Sequence, residues 1–276
     1  MEGHEFHWLI GILEGEGTFG AASPSAPGIP VVRVVMTDRD VVDRVGALWG
    51  RAVFPLAPRQ PHHKVPYVTA LKGAAAVVLM KKVREHMSAS RQRQIDRAVR
   101  TWRGHRARKG MAAPVNDLVH DSCNETCAIA WLAGLLEGEG TFSTTRADGH
   151  TYPLLQLNMC GGDVVRRAGT MLGAASVRLL EPRHPHWSST YVTKVSGTSA
   201  AAWMGILRPL MGVRRREAID RALVEYRPIQ LAVAPAQCVV EACVRPHRGR
   251  GLCHRHYMSW SRDFANGRTP RITPLR

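Results

Sequence analysis

A twelve-residue segment occurs twice in this chain, as WLIGILEGEGTF from Trp8 to Phe19 and as WLAGLLEGEGTF from Trp131 to Phe142, 123 residues apart and identical at ten of twelve positions. Each copy is a short apolar run with glycines four apart, Gly11 with Gly15 and Gly134 with Gly138, and it ends in two carboxylates and a glycine. Glycines at i and i+4 lie on one helix face and remove the side chains that would hold a second backbone away, so two such helices can touch closely. Gly17 and Gly140 are then expected to stop the helices in the left-handed conformation, which leaves Glu16 and Glu139 at helix ends. A carboxylate there faces the negative pole of the macrodipole, at a cost of roughly 0.3 to 1 kcal/mol, and a pair of them calls for a compensating cation such as a divalent metal.

The duplication continues beyond the motif, so a domain is repeated and not merely a helix. Val34–Gly50 (VVMTDRDVVDRVGALWG) is answered by Gln156–Gly173, which keeps Met36 with Met159 and Asp40-Val41-Val42 with Asp163-Val164-Val165. PYVTALKGAAAVVLM (66–80) is answered by TYVTKVSGTSAAAWM (190–204), and RQRQIDRA (91–98) by RREAIDRA (215–222), now 124 apart. Read by period, the first copy gives a helix ending in the acids, strands over 18–23 and 30–36, and a helix from Arg39 with Asp38 as N-cap. Strands over 52–56 and 67–71 follow, then a long helix over 74–102 broken near Ser88. The fold class expected is α+β, a tandem αββαββα arrangement. Its boundaries are a first repeat over 5–104, a basic linker over 105–121, a second repeat over 122–226, a spacer over 227–237 and a basic tail over 238–276. The linker region, with Arg103, Arg106, Arg108 and Lys109, suits either phosphate contact or a solvated tether, and Ser122 with Glu125 forms a capping-box signature for the second motif helix.

Thirty-eight Lys and Arg against 22 Asp and Glu give a net charge of +16, which favours a polyanionic partner because each phosphate neutralised releases counterions. No stretch approaches the roughly 20 apolar residues of a spanning helix, and MEGHEFHW lacks the features of a signal peptide, so an intracellular, soluble protein without a membrane partner is expected. The six cysteines do not form a disulfide framework; Cys123, Cys127 and Cys160 read as small buried hydrophobes.

The repeated segment resembles the LAGLIDADG motif of homing endonucleases, in the form where both motifs lie in one chain and the dimer interface becomes intramolecular. The resemblance spans about residues 5 to 226, with Glu in place of the motif's final Asp in both copies. It implies two repeats related by a pseudo-two-fold axis, saddle-shaped antiparallel sheets lying in the major groove, and a monomer acting on double-stranded DNA at a long asymmetric target. It implies that Glu16 and Glu139, with the neighbouring Gly15 and Gly138, hold catalytic Mg²⁺ for a double-strand break. A basic residue near the end of a strand assists the attacking water in that family, a role that falls here on Lys72 and, in the second repeat, on Lys194, because Ser196 occupies the aligned position. Asn158 sits near the family's water-positioning site, and its partner in the first repeat is Val35, so the two centres are expected to differ. Contacts to DNA are expected from Arg33 and from the hairpin tips carrying Arg59, His62 and Lys64 in one repeat and Arg183 and His186 in the other. Glu14 and Glu137 lie on another side of their helices and are expected to tune or cap the interface.

Beyond Tyr226 the character changes. Cys238, Cys243, Cys253 and His256 have the spacing C-x4-C-x9-C-x2-H, a set of three thiolates and an imidazole suited to tetrahedral Zn²⁺, with His247 and His254 as competing ligands. A segment this short and poor in apolar residues gains its stability from such a metal. Gly251-Leu252-Cys253, His256-Tyr257 and Trp260 resemble the small zinc fingers appended to phage and actinobacterial endonucleases, which implies a DNA-affinity module. Nine arginines against two acids between Arg227 and Arg276, Arg248 and Arg250 among them, agree with that role. Two other readings stay open: a noncatalytic DNA-binding or RNA-splicing protein of the same descent, and a zinc-dependent enzyme centred on the tail.

Overall fold

The computed structural model describes residues 3–23, 26–108, 125–147, 150–182, 184, 186, 188–224, 226 and 235–275. The first repeat runs α1 (Gly3–Gly15), β1 (Gly17–Ser23), β2 (Ala26–Met36), α2 (Arg39–Trp49), β3 (Phe54–Pro55), β4 (Tyr67–Lys72), α3 (Ala74–Val83), a 3₁₀ turn (Arg84–His86) and α4 (Ala89–Arg108). The second runs α5 (Glu125–Glu139), β5 (Gly140–Ala147), β6 (His150–Met159), α6 (Gly162–Leu172), β7 (Val177–Leu180), β8 (Thr190–Ser196), α7 (Gly197–Leu207), a 3₁₀ turn (Arg208–Leu210) and α8 (Val213–Val224). A single helix, α9 (His254–Ala265), belongs to the C-terminal module. Each repeat carries a four-stranded antiparallel sheet, in the order β1-β2-β4-β3 and β5-β6-β8-β7. The α+β class and the tandem αββαββα order are as the sequence reading gave them.

The two repeats meet along α1 and α5, the most extensive contact between any two elements. Both helices are buried almost all round, with Leu9, Ile10, Ile12 and Leu13 on α1 and Leu132, Leu135 and Leu136 on α5 inaccessible to solvent. A methyl group added at Gly11 would lie 2.1 Å from Trp131 O, and one at Gly134 would lie 2.0 Å from Trp8 O. Only a residue without Cβ permits backbones this close. The helix face that each glycine opens is therefore filled by the other copy's main chain.

Several expectations need correction. Gly17 and Gly140 are not left-handed; they are the first residues of β1 and β5, and glycine is required there because a Cβ would meet Leu13 O at 2.4 Å or Leu136 O at 2.5 Å. The left-handed helix stops are Gly50 and Gly173, which end α2 and α6 with φ of 60° and 66°. Asp38 precedes α2 as expected but makes no side-chain cap, because its carboxylate is bound by Arg214 of the other repeat. The 52–56 strand shortens to Phe54–Pro55, since a proline and an exposed edge leave little ladder to build. Helix α4 continues to Arg108, so the start of the expected linker is helical; the rest of the linker, Ser122 and Cys123 lie outside the described residues. Cys127 is buried, whereas Cys160 is exposed. Among the described residues no helix is long and apolar enough to cross a membrane.

The helix contact generates a sharp expectation. Gly11→Ala should destabilise the chain by about 3 kcal/mol, the upper part of the range for overpacking, because the obstructing atoms are backbone and cannot swing aside. Gly20→Ala, on a strand with nothing within 4 Å of the added carbon, should stay within about 1 kcal/mol of the parent. Urea unfolding of the two variants measures the difference.

Candidate active centre at the helix junction

Each motif helix delivers its last acid to the junction between the repeats. Glu16 follows α1 directly, its N–H still bonded to Ile12 O at 2.8 Å, and Glu139 is the last residue of α5. Their stems cross over the partner's glycine: a Cβ on Gly15 would lie 3.0 Å from Glu139 Cγ, and one on Gly138 would lie 2.9 Å from Glu16 Cγ. The second glycine of each pair is thus a seat for the opposite acid. Burial raises the pKa of both carboxyls, and for Glu16 the neighbouring Glu139 raises it further, while Arg215 and Arg91 oppose the shift.

Those two arginines are the cations that act on the acids, and they come from the blocks matched between the repeats, RQRQIDRA and RREAIDRA. Arg91 donates through Nη2 to Glu14 O and Gly15 O, both at 2.8 Å. Arg215 donates through Nε to Glu137 O at 3.0 Å and through Nη2 to Gly138 O at 2.8 Å. A guanidinium at the carbonyl end of each motif helix satisfies orphan acceptors and offsets the dipole that the acids worsen. The sequence signal for them was their persistence in both copies, first in each matched block.

Glu14 and Glu137 serve the opposite helix pole. Glu14 accepts from Ser88 N at 2.8 Å and from Ser88 Oγ at 2.6 Å, and so caps α4; Glu137 accepts from Gly212 N at 2.6 Å at the start of α8. The other repeat completes each cap, with Asp163 accepting from Ala89 N at 3.3 Å and Asp40 from Val213 N at 2.7 Å. The caps are unequal, because Gly212 has no hydroxyl where Ser88 has one. Among the described residues Glu137 Oε1 is left buried without a donor, and burial raises the Glu137 pKa above its ordinary value.

The ladders begin at Gly17 opposite Val34 and at Gly140 opposite Leu157, so Val35 and Asn158 are the next residues of β2 and β6 toward the helix ends. Asn158 lines a cavity of about 720 Å³ together with Glu139, Arg91 and Gln94. Lys72 is exposed at the end of β4 opposite Val31, and Lys194 is exposed on β8 opposite Gln156; neither is among the groups that shift Glu16 or Glu139. Gly15 and Gly138 offer carbonyls already bonded to guanidinium. Arg33 is exposed between Thr18 and Ala70, and Arg59, His62 and Lys64 are exposed between β3 and β4. His186 is exposed with its ring stacked on His184, and Arg183 lies outside the described residues.

In the C-terminal module the Sγ atoms of Cys238, Cys243 and Cys253 and a ring nitrogen of His256 all lie within 4.8 Å of one another. Cys243 and Cys253 Sγ are 3.9 Å apart, close to the ~3.8 Å edge of a tetrahedron with Zn–S bonds of about 2.3 Å. The His256 backbone N–H, in the first turn of α9, lowers the Cys253 thiol pKa. The cluster packs against Leu252 and Trp260 in a small core of its own. Arg250 lies over Trp260, its guanidinium carbon 4.7 Å from the ring centroid, while Arg248 is exposed. Neither His247 nor His254 joins the four-residue cluster.

Two four-stranded antiparallel sheets hung from a central helix pair form the fold of the single-chain LAGLIDADG homing endonucleases. Among solved structures, the LAGLIDADG meganuclease I-AabMI bound to uncleaved DNA matches with a TM-score of 0.52 at 13% identity, over 79% of this chain and 89% of that one. I-LtrWI bound to target DNA matches with a TM-score of 0.49 at 11% identity, over 80% and 89%, and I-SmaMI bound to uncleaved DNA with 0.48 at 10%, over 78% and 88%. No family model and no curated protein sequence matches the chain.

The buried acids make stability depend on pH in a defined sense. Below the ordinary glutamate value of 4.5 both the native and the unfolded chain hold these protons, and the native state has its full stability. As pH rises through the raised native values the unfolded chain has already ionised, so stability is lost across that window. In metal-free buffer Glu16→Gln should therefore melt above the parent at neutral pH, with the gap closing as pH falls toward 4.5. Calorimetric melting across that range checks it, and a variant less stable than the parent at neutral pH would contradict the assignment.

Proposed function

We propose that this protein is a site-specific DNA endonuclease that makes a divalent-metal-dependent double-strand break by phosphodiester hydrolysis. The observation that carries the reading is the pair Glu16 and Glu139, seated on each other's glycines at the repeat junction, where their burial and mutual repulsion cost stability that the fold has no structural need to lose. A protein that only bound nucleic acid would gain affinity by discarding two acids from a phosphate-facing junction. The likeness to I-AabMI, a LAGLIDADG meganuclease bound to DNA, supports DNA as the partner.

Glu16 and Glu139 present hard carboxylate oxygens, and with the second lone pairs of Gly15 O and Gly138 O they fit Mg²⁺. A bound Mg²⁺ supplies charge neutralisation at the phosphate, an acidified water and stabilisation of the departing alkoxide. Arg91 and Arg215 hold the carbonyls rigid and place positive charge where phosphate charge develops. Asn158, in the cavity beside Glu139, offers a hydrogen bond to a water; Val35 offers none beside Glu16. The strand served by the second centre is accordingly cut faster. Lys72 and Lys194, exposed on the sheets, contribute to phosphate contact and to polarising water as substrate docks.

The exposed sheet faces enter the major groove, whose width of about 12 Å admits a two-stranded ribbon. Arg33, Arg59, His62, Lys64, Arg183 and His186 contact the duplex, and the chain acts as a monomer because its pseudo-dimer is internal. Cys238, Cys243, Cys253 and His256 hold a structural Zn²⁺, and the tail adds electrostatic affinity through Arg248 and its other exposed arginines.

Incubation with Mg²⁺ and a randomised duplex library, with sequencing of cut ends, tests the activity. Glu16→Gln and Glu139→Gln should each lower cleavage by about 10²-fold or more while retaining binding, since each removes a metal ligand worth several kcal/mol in the transition state. Robust binding without cleavage by the parent would favour a noncatalytic DNA-binding or RNA-splicing role instead. Cys253→Ser should abolish one equivalent of bound zinc and weaken DNA binding, with the cleavage rate at saturating protein kept within about three-fold. Loss of chemistry in that variant would point to the tail as the catalytic centre.

A further inference from the structure

The sheet registers allow the two repeats to be compared position by position on the faces turned away from the helices. Three rows cross each sheet there. The first row is Thr18–Arg33–Ala70 in one repeat and Thr141–Gln156–Lys194 in the other. The second is Gly20–Val31–Lys72, in which Val31 is buried, against Ser143–Leu154–Ser196. The third is Val35–Val68–Phe54 against Asn158–Val192–Arg178. Of the nine positions, three in the first repeat carry a hydrogen-bonding side chain and seven do so in the second. The third row differs most. Its edge position is Phe54, 61% exposed, in one sheet and the exposed Arg178 in the other. The β5–β6 ribbon also extends the polar set outward with Thr145 opposite Tyr152.

Base edges in the major groove are told apart by hydrogen-bond pattern: Arg pairs bidentately with guanine, Gln and Asn with adenine, while apolar side chains meet only the thymine methyl. We infer that sequence discrimination is concentrated in the half-site contacted by the second repeat, with Gln156 and Arg178 as specificity-determining residues. The sheet face of the first repeat reads its half-site loosely, by Arg33 together with an apolar strip of Val68 and Phe54 that favours thymine, and Arg59, His62 and Lys64 of its hairpin tip are assigned to the phosphate backbone. This rests on the proposed reading of the exposed sheet faces as the DNA-contacting surface, and it adds which half of the target tolerates change. An exposed Phe54 beside Val68 on a chain of net charge +16 fits a methyl-contacting role better than a phosphate-contacting one.

The test uses the full chain and a randomised duplex library, selected for binding in Ca²⁺ buffer and sequenced. One side of the recovered consensus should be sharply defined, with single mismatches weakening binding about 10- to 100-fold, and the other side should tolerate mismatches within about three-fold. Gln156→Ala and Arg178→Ala should each flatten one position on the sharp side. Phe54→Ala should act only on the loose side, by lowering thymine preference, and Phe54→Arg should create a guanine preference there. Equal definition of both sides, or unchanged consensus in Gln156→Ala and Arg178→Ala, overturns the inference while leaving the nuclease reading intact. Failure to bind any duplex overturns both.

Discussion

Everything in this molecule depends on how closely two helix backbones approach. With Gly11 against Trp131 O and Gly134 against Trp8 O, α1 and α5 run in contact, and no side chain separates the repeats at that point. That closeness sets the distance between the two acids, because Glu16 and Glu139 leave the helix pair one turn beyond the contact and rest on Gly138 and Gly15. It also sets the positions of the two sheets, since β1 and β5 begin immediately after the helices with no intervening loop. Had the junction been built from interlocking leucines, the helices would stand farther apart and the acids would face separate surfaces.

A second set of interactions makes the junction rigid, and it is exchanged between repeats. The N-terminus of α4 receives Glu14 from its own repeat and Asp163 from the other, while α8 receives Glu137 and Asp40. Arg91 and Arg215, on the first turns of those same helices, reach back to the carbonyl ends of α1 and α5. Four helix poles therefore neutralise one another in a closed arrangement. Arg44 over Trp8 and Arg167 over Trp131, at 3.7 and 3.8 Å from the ring centroids, add a matched pair of cation–π contacts on the flanks. Arg91 and Arg215 also act through space on Glu16 and Glu139, opposing the rise in pKa that burial imposes on both.

Much of this was legible in the sequence because duplication supplies its own control. The apolar period and paired glycines predicted α1 and α5, and the order of elements followed from matching the halves. What was not legible required knowing which groups meet across the repeats. Asp38 reads locally as an N-cap, yet Arg214 takes its carboxylate from 176 residues away. Gly17 reads as a left-handed stop, but it is an extended residue forced small by Leu13 O. Lys72 reads as a cation at a strand end, whereas the cations that bear on the acids are Arg91 and Arg215 from helix starts. Sequence distance hides such contacts, since nothing in a local pattern encodes a partner more than seventy residues removed.

The distribution of identity between the copies has a physical origin. At a pseudo-two-fold junction each residue meets its own counterpart's surroundings, so a change in one copy alters a contact made by both repeats. Widening Gly11 would displace Trp131 and Leu135, and with them Gly134's seat against Trp8. The two copies of the motif are tied together and remain nearly identical. The exposed sheet faces lie on separate sheets: Phe54 and Arg178 occupy equivalent edge positions, paired with Val68 in one and Val192 in the other. Each face is constrained only by what docks on it. The faces are accordingly free to diverge between the repeats while the junction between them stays nearly identical.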